Sequence, residues 1–229
     1  MRTILVVDDD KDITELTSTY LKAEGFQIKV AHGGSEALSI LDTTDVHLMI
    51  LDVMMPELSG IEVCQRVRET SKIPILMLSA KTEDVDKILG LMTGADDYMM
   101  KPFNPLELVA RVKSLIRRSF DYNTESKPSA EDILSIHGLD INRLTHKVTV
   151  NGSEISLTSR EFEILYLLAG HPGRVFNAED IFQLIWGEKY YISNNTVMVH
   201  ISNLRDKLEK EIGYKLIQTV WGVGYKIEI

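Results

Sequence analysis

The 229-residue chain has a single cysteine, Cys64, and only two tryptophans. One cysteine makes an intrachain disulfide impossible and rules out a cysteine-based zinc cluster, so Cys64 is expected to pack as a small apolar residue. Long apolar runs are missing too: none approaches the ~18 to 20 residues of a membrane span. The N-terminal ILVV is too short, and too soon followed by acids, for a signal peptide. The expected location is the cytoplasm, with no membrane partner. Positive charge is also scarce, with 25 Lys and Arg against 34 Asp and Glu, net −9. That balance, taken alone, argues against a nucleic-acid partner. Its distribution is uneven. Residues 1–121 carry 14 basic and 20 acidic side chains (net −6), residues 122–229 carry 11 and 14 (net −3), and the last stretch, 194–229, carries 5 and 4 (net +1). The C-terminal end is the least acidic part of the chain. What is plentiful is apolar side chain, 44% of residues, beside 26% charged, which suits a globular chain with two modest cores.

The first half alternates short β-rich runs with helical periodicity. Strands are expected at Thr3–Val7, Phe26–Val30, Leu48–Pro56, Pro74–Leu78 and Asp97–Met100. Helices are expected at 11–24, with Ile13, Leu16, Tyr20 and Leu21 on the packed side, and at 35–41, 61–67, 85–91 and 106–116. Strand and helix in strict alternation mean an α/β, doubly wound parallel sheet of five strands. LMILDVMMP, residues 48–56, is the central strand, apolar on both faces and ending in one acid, Asp52. In such sheets chemistry collects beyond the carboxyl ends of the strands.

Polar groups end these strands: Asp8 and Asp9 after the first, Asp52 after the third, Ser79 after the fourth and Lys101 after the fifth. Singly, each has an ordinary explanation as a helix cap or a solvated side chain. Jointly they build one site. Three carboxylates brought together repel and raise one another's proton affinity unless a cation joins them. An all-oxygen site of this kind suits Mg²⁺.

The DD after the first strand, LDVMMPELSG after the third, LSA after the fourth and GADDYMMKPF around the fifth resemble the receiver domain of two-component response regulators, over about residues 2–119. The resemblance implies that Asp52 accepts a phosphoryl group from a sensor histidine kinase. Asp9, Asp52 and the Met54 carbonyl would bind Mg²⁺, with Asp8 acting through water. Lys101, before a cis Pro102, would pair with a phosphoryl oxygen and Ser79 would donate to it. Tyr98 is the implied switch aromatic. Lys87, Ile88, Asp96, Asp97, Glu107, Ala110, Arg111 and Arg118 match positions through which receivers of the OmpR/PhoB family form a symmetric dimer. A run of alternating charge is otherwise a solvated face, and exposed ion pairs contribute little each.

Residues 120–131 lose apolar periodicity and gain Ser, Asn and Pro, as a flexible linker does. From 132 to 229 the pattern is α+β. Short strands are expected at 133–136, 139–141, 147–150 and 154–157, with turns at His137–Gly138 and Asn151–Gly152. Thr158-Ser-Arg-Glu161 is a capping box opening a helix with Phe162, Leu165, Leu168 and Ala169 inward. Further helices are expected at 178–186 and 194–210, then strands at 215–220 and 225–229 flanking WGVG. On the third helix Val197, Ile201, Leu204 and Leu208 share the core face. Asn195, Val199, Ser202, Asn203 and Asp206 lie opposite, where amides can meet adenine edges and a valine a thymine methyl. An ordinary polar solvent face has the same periodicity.

TSREFEILYLL, NNTVMVHISNLRDKLE and QTVWGVGYKI are similar to the OmpR/PhoB winged-helix effector domain, and VWGVGY with GYKI resembles regulators of the VanR type. The resemblance implies double-stranded promoter DNA and RNA polymerase as partners, and a homodimer formed on phosphorylation. It puts Asn195, Val199, His200, Ser202, Asn203 and Arg205 of the third helix, with Thr219 and Trp221 of the wing, at DNA-contact positions. Where relatives carry arginine, Ser202, Asn203 and Trp221 are neutral, so the phosphate contribution is expected to be small. An aspartyl-phosphate phosphatase is the competing enzyme reading. It needs an acid two residues after the nucleophile, where this chain has Met54, so the chain is expected not to turn over. An effector domain for RNA or protein is the competing non-DNA reading.

Overall fold

Strand Leu48–Asp52 is buried at every position, because the sheet around it is covered by helices on both faces. The computed structural model describes residues 1–80, 94–120, 133–136, 138–187 and 196–228, in two compact units, Met1–Arg118 and Ser119–Ile229. In the first unit β1 (Thr3–Val7), β2 (Gln27–Ala31), β3 (Leu48–Asp52), β4 (Ile75–Ala80) and β5 (Asp97–Lys101) form one parallel sheet. The strand order is β2-β1-β3-β4-β5. Order reverses between β1 and β3, so the crevice lies where Asp8 and Asp52 leave the sheet. The described helices are α1 (Lys11–Ala23), α2 (Gly34–Thr43), α3 (Gly60–Thr70) and α4 (Pro105–Phe120). The helix expected at 85–91 lies outside the described residues.

Two helix readings need correcting. On α1 only Leu21 of the expected packed set is buried with its neighbours Thr14, Thr17 and Ser18, while Leu16 and Tyr20 are exposed. Of these hydroxyl residues Thr14 returns a bond to its own helix, its Oγ1 donating to the Lys11 carbonyl at 2.9 Å. The apolar pattern therefore pointed to the wrong stripe. The last helix runs on to Phe120, beyond the expected end at 116, since Leu115 and Ile116 are buried and carry the periodicity onward. Cys64 packs in the core of the first unit as expected.

In the second unit β6 (Ile133–Ile136), β7 (Leu139–Asn142), β8 (Lys147–Val150) and β9 (Ser153–Ile155) make an antiparallel meander. Then come α5 (Ser159–Ala169), α6 (Ala178–Trp186), α7 (Thr196–Ile212) and the hairpin β10 (Ile217–Val220) and β11 (Gly224–Ile227). The Thr158–Glu161 capping box is present, and Glu161, almost fully buried, also takes the Lys207 ammonium of α7 at 2.6 Å. Val197, Ile201, Leu204 and Leu208 lie in the core together with Phe162, Leu165 and Ile181. Arg160 is buried as well, donating to Glu163 at 2.8 Å and to the Ile185 carbonyl, with its guanidinium over the Trp186 ring.

Backbone hydrogen bonds join the segment before α6 to the hairpin, the Gly173 amide donating to the Ile227 carbonyl at 2.7 Å. Phe176 exchanges both backbone hydrogen bonds with Tyr225, at 2.9 and 2.8 Å. Gly224 makes this approach possible: a Cβ there would stand 2.0 Å from the Phe176 carbonyl oxygen.

Candidate functional site

The parallel register sets the first site. Asp8 and Asp52 follow neighbouring strands, both buried, and Lys101 ends β5 one strand beyond β4, its bond to Pro102 cis. The Lys101 ammonium lies 2.7 Å from Asp8 Oδ2 and 3.0 Å from Asp52 Oδ1. Asp8, Asp9 and Asp52 each present an oxygen within 4.8 Å of the others. The Asp10 amide donates to Asp8 at 3.0 Å, while the Asp10 side chain caps α1. Behind Asp52 the chain folds back so closely that a Cβ on Gly60 would stand 1.9 Å from the Asp52 carbonyl. Ser79 is fully buried at the end of β4, Tyr98 is half-buried against the core, and the Met54 side chain is exposed.

Burial pushes the Asp52 carboxyl from 3.8 up to about 6; the bond from Lys101 opposes this, and the charges of Asp8 and Asp9 add to it. For Lys101, burial works against the ammonium, but hydrogen bonds to Asp8 and Asp52 outweigh it and hold the proton above the ordinary lysine value. One ammonium, bonded to Asp8 and Asp52, thus stands against a cluster of three carboxylates. That leaves an all-oxygen cluster with surplus negative charge, two of its members desolvated, a donor set that fits a small hard divalent cation.

Of the residues expected on a dimer surface, Lys87 and Ile88 lie outside the described residues. Asp96 is a correction. It is fully buried, taking Arg68 Nη2 at 2.7 Å and the Ile75 amide at 2.9 Å on the same oxygen. Arg68 also donates to the carbonyls of Gly94 and Ile73 at 2.8 Å each, so Asp96 anchors the entry to β5 instead of facing a partner. Nothing in the residues around Arg68 announced this, because Gly94 and Asp96 lie 26 and 28 residues further along the chain. Asp97 pairs with Arg111 at 3.2 Å, and Arg111 also takes Glu107 at 2.8 Å. Ala110 is exposed and Arg118 half-exposed.

The second site is the outward side of α7. Ser202 is exposed, Val199 and Asn203 are half-exposed, and Asn195 lies outside the described residues. His200 is a correction: it is fully buried, its ring centroid 5.6 Å from that of Trp186. It belongs to the packing between α6 and α7. Arg205 and Thr219 bond each other. The Arg205 guanidinium donates to the Ile217 carbonyl at 3.1 and 2.8 Å and to Thr219 Oγ1 at 2.8 Å, strapping β10 to the helix. Trp221, at the hairpin tip, is 91% exposed.

Comparison with known proteins gives the family of both units. Residues 4–113 match the response regulator receiver domain, and residues 152–227 match the C-terminal domain of transcriptional regulatory proteins. The chain is 46% identical to regulatory protein VanRc of Enterococcus gallinarum and 45% identical to regulatory protein VanR of Enterococcus faecium, each over 98% of both chains. Among solved structures it resembles the response regulator DrrB, a Thermotoga maritima OmpR/PhoB homolog, with 32% identity, a TM-score of 0.50 and full coverage of both chains. A receiver fold closed by a carboxylate cluster, followed by a winged helix and matched along nearly its whole length by such regulators, makes this chain a member of the OmpR/PhoB family of two-component response regulators, a transcriptional regulator with a DNA-binding output domain.

Proposed function

We propose that Asp52 is the phosphoryl acceptor, fed by a sensor histidine kinase, and that its modification controls binding of the winged helix to promoter DNA. The observation that carries this is the Lys101 ammonium held between Asp8 and Asp52, a cation already placed where a phosphoryl oxygen would arrive. An Asp52 oxygen forms the new bond to phosphorus as the phosphorus–nitrogen bond to the donor imidazole breaks. Asp8, Asp9, Asp52 and the Met54 carbonyl would hold Mg²⁺, which when bound offsets charge on the transferring group. Lys101 neutralises the product, and Ser79 donates its hydroxyl to it. Tyr98 then turns toward the space that Ser79 leaves. Met54 stands where a hydrolytic enzyme of this type needs an acid, which favours a lasting signal over turnover.

The phosphorylated form dimerises through the face that includes Lys87, Ile88, Asp97, Glu107, Ala110, Arg111 and Arg118, with Asp97 and Arg111 exchanging their internal pair for one across the interface. The dimer binds double-stranded DNA through Asn195, Val199, Ser202, Asn203 and Trp221, and acts on RNA polymerase. We place it in the cytoplasm; none of the described helices is long and apolar enough to cross a membrane. The domains divide as residues 1–119 and 132–229, with 120–131 as linker. The test is incubation of the chain and its Asp52→Asn variant with an acyl phosphate and Mg²⁺, followed by intact-mass measurement. A phosphoryl adduct on the native chain alone is expected. An equal adduct on the variant would overturn the assignment.

A further inference from the structure

The reading face of α7 is unusual in what it presents. At about 100° per residue, Met198, Ser202, Val199 and Asn203 span one outward arc over the first two turns. Met198 is 54% exposed although it is a large apolar side chain. Val199 is half-exposed on the other side of Ser202. The described part of the helix has three basic side chains, and none of them stands on the first two turns of this arc. Arg205 is committed to Ile217 and Thr219, Lys207 is bonded to Glu161, and Lys210 lies in the last turn. Exposed Asp206 closes the arc with a carboxylate that opposes approach of phosphates.

Base edges in the major groove differ in what can meet such a surface. Guanine offers two acceptors and is best met by a forked or multiple donor, commonly Arg or Lys. Among the described residues of this arc there is no such donor. Thymine offers a methyl group, for which Met198 and Val199 are the complementary partners, while Ser202 and Asn203 can serve the polar edges of the same base pairs. Burying an apolar pair also needs no counterion release, which suits residues 122–229 at net −3.

We infer that Met198 joins Val199 as a further specificity-determining residue of this helix and reads a thymine C5-methyl group of its own, so that each half-site contains thymines recognised by the methyl and not by Watson–Crick or carbonyl groups. The inference rests on the DNA-binding reading above. The experiment selects bound duplexes from a random-sequence library with the full chain treated with acyl phosphate, then replaces each thymine of the selected site by deoxyuridine, which lacks only the methyl. At one or two positions per half-site the substitution should weaken binding about four-fold, the equivalent of about 0.8 kcal/mol for one buried methyl. In Met198→Ala and Val199→Ala the same substitutions should lose most of that effect, because the partner is gone. Both side chains are solvent-facing, so the variants keep the fold, and circular dichroism checks it. A selected site whose binding ignores deoxyuridine everywhere, or depends instead on guanine N7 as reported by 7-deazaguanine, overturns this inference and leaves the DNA-binding reading standing. Selection that enriches no duplex sequence overturns both.

Discussion

Replacing Asp52 by Asn should make the metal-free protein more stable at neutral pH. The folded carboxyl has its proton affinity raised, from 3.8 to about 6, so the folded state holds a proton that the unfolded chain releases across that window. Stability from this group is therefore complete at acid pH and is lost as pH rises from about 4 to about 6. The shift of roughly two units corresponds to about 3 kcal/mol at pH 7.5. Asn is neutral throughout and escapes that cost. With a urea slope of about 2 kcal/mol/M, the variant's receiver transition should move up by about 1.5 M at pH 7.5 in EDTA. At pH 4 the two proteins should unfold together. Both tryptophans, Trp186 and Trp221, lie in the second unit, so their fluorescence follows that unit and should show no shift, while far-UV circular dichroism records the receiver. Millimolar Mg²⁺ should raise the native protein and leave the variant nearly unchanged. A difference between the two proteins that is the same at pH 4 and pH 7.5, or a variant less stable at pH 7.5, would refute the reasoning.

Lys101→Met leaves the buried Asp8 and Asp52 carboxylates without their ammonium and should cost about 3 to 5 kcal/mol in EDTA, read as a lower thermal midpoint that Mg²⁺ partly restores. Gly224→Ala puts a methyl into the Phe176 carbonyl and should cost at least about 2 kcal/mol, seen as an earlier tryptophan-fluorescence transition with the receiver unaffected. His200→Ala should destabilise the second unit by about 2 kcal/mol or more through the cavity beside Trp186. Its affinity for a bound duplex, measured below the unfolding range, should stay within two- to three-fold, about 0.5 kcal/mol, of the native value.

The receiver was legible because its signals are local. A buried strand announces itself by an unbroken apolar run, and acids at strand ends are countable. The winged helix was legible through the capping box and the spacing of Val197, Ile201, Leu204 and Leu208. What the residues could not disclose were choices made at long range. Asp96 and Asp97 are adjacent acids, yet one is buried under Arg68 and the other pairs with Arg111. That division depends on which side of β5 faces α3. His200 sits at the margin of the helical core face, and only the position of Trp186 decides that it is packed. Arg160 reads as a surface arginine inside a capping box, although Trp186 and Glu163 cover it. The apolar stripe of α1 misled because the small side chains Thr14, Thr17 and Ser18 are the ones that fit against the sheet, while Leu16 and Tyr20 face outward.

The hairpin is fastened to the rest of its unit from two sides, by Arg205 from the helix and by the Phe176–Tyr225 and Gly173–Ile227 hydrogen bonds from the segment before α6. A body held in that way behaves as a caliper with a fixed opening. The span between a base pair touched by α7 and one touched by Trp221 is then a property of the protein and not of the DNA. Inserting one base pair inside a half-site demands a change in twist that the duplex must absorb. The same insertion between half-sites falls outside the jaws and leaves each half-site's fit intact.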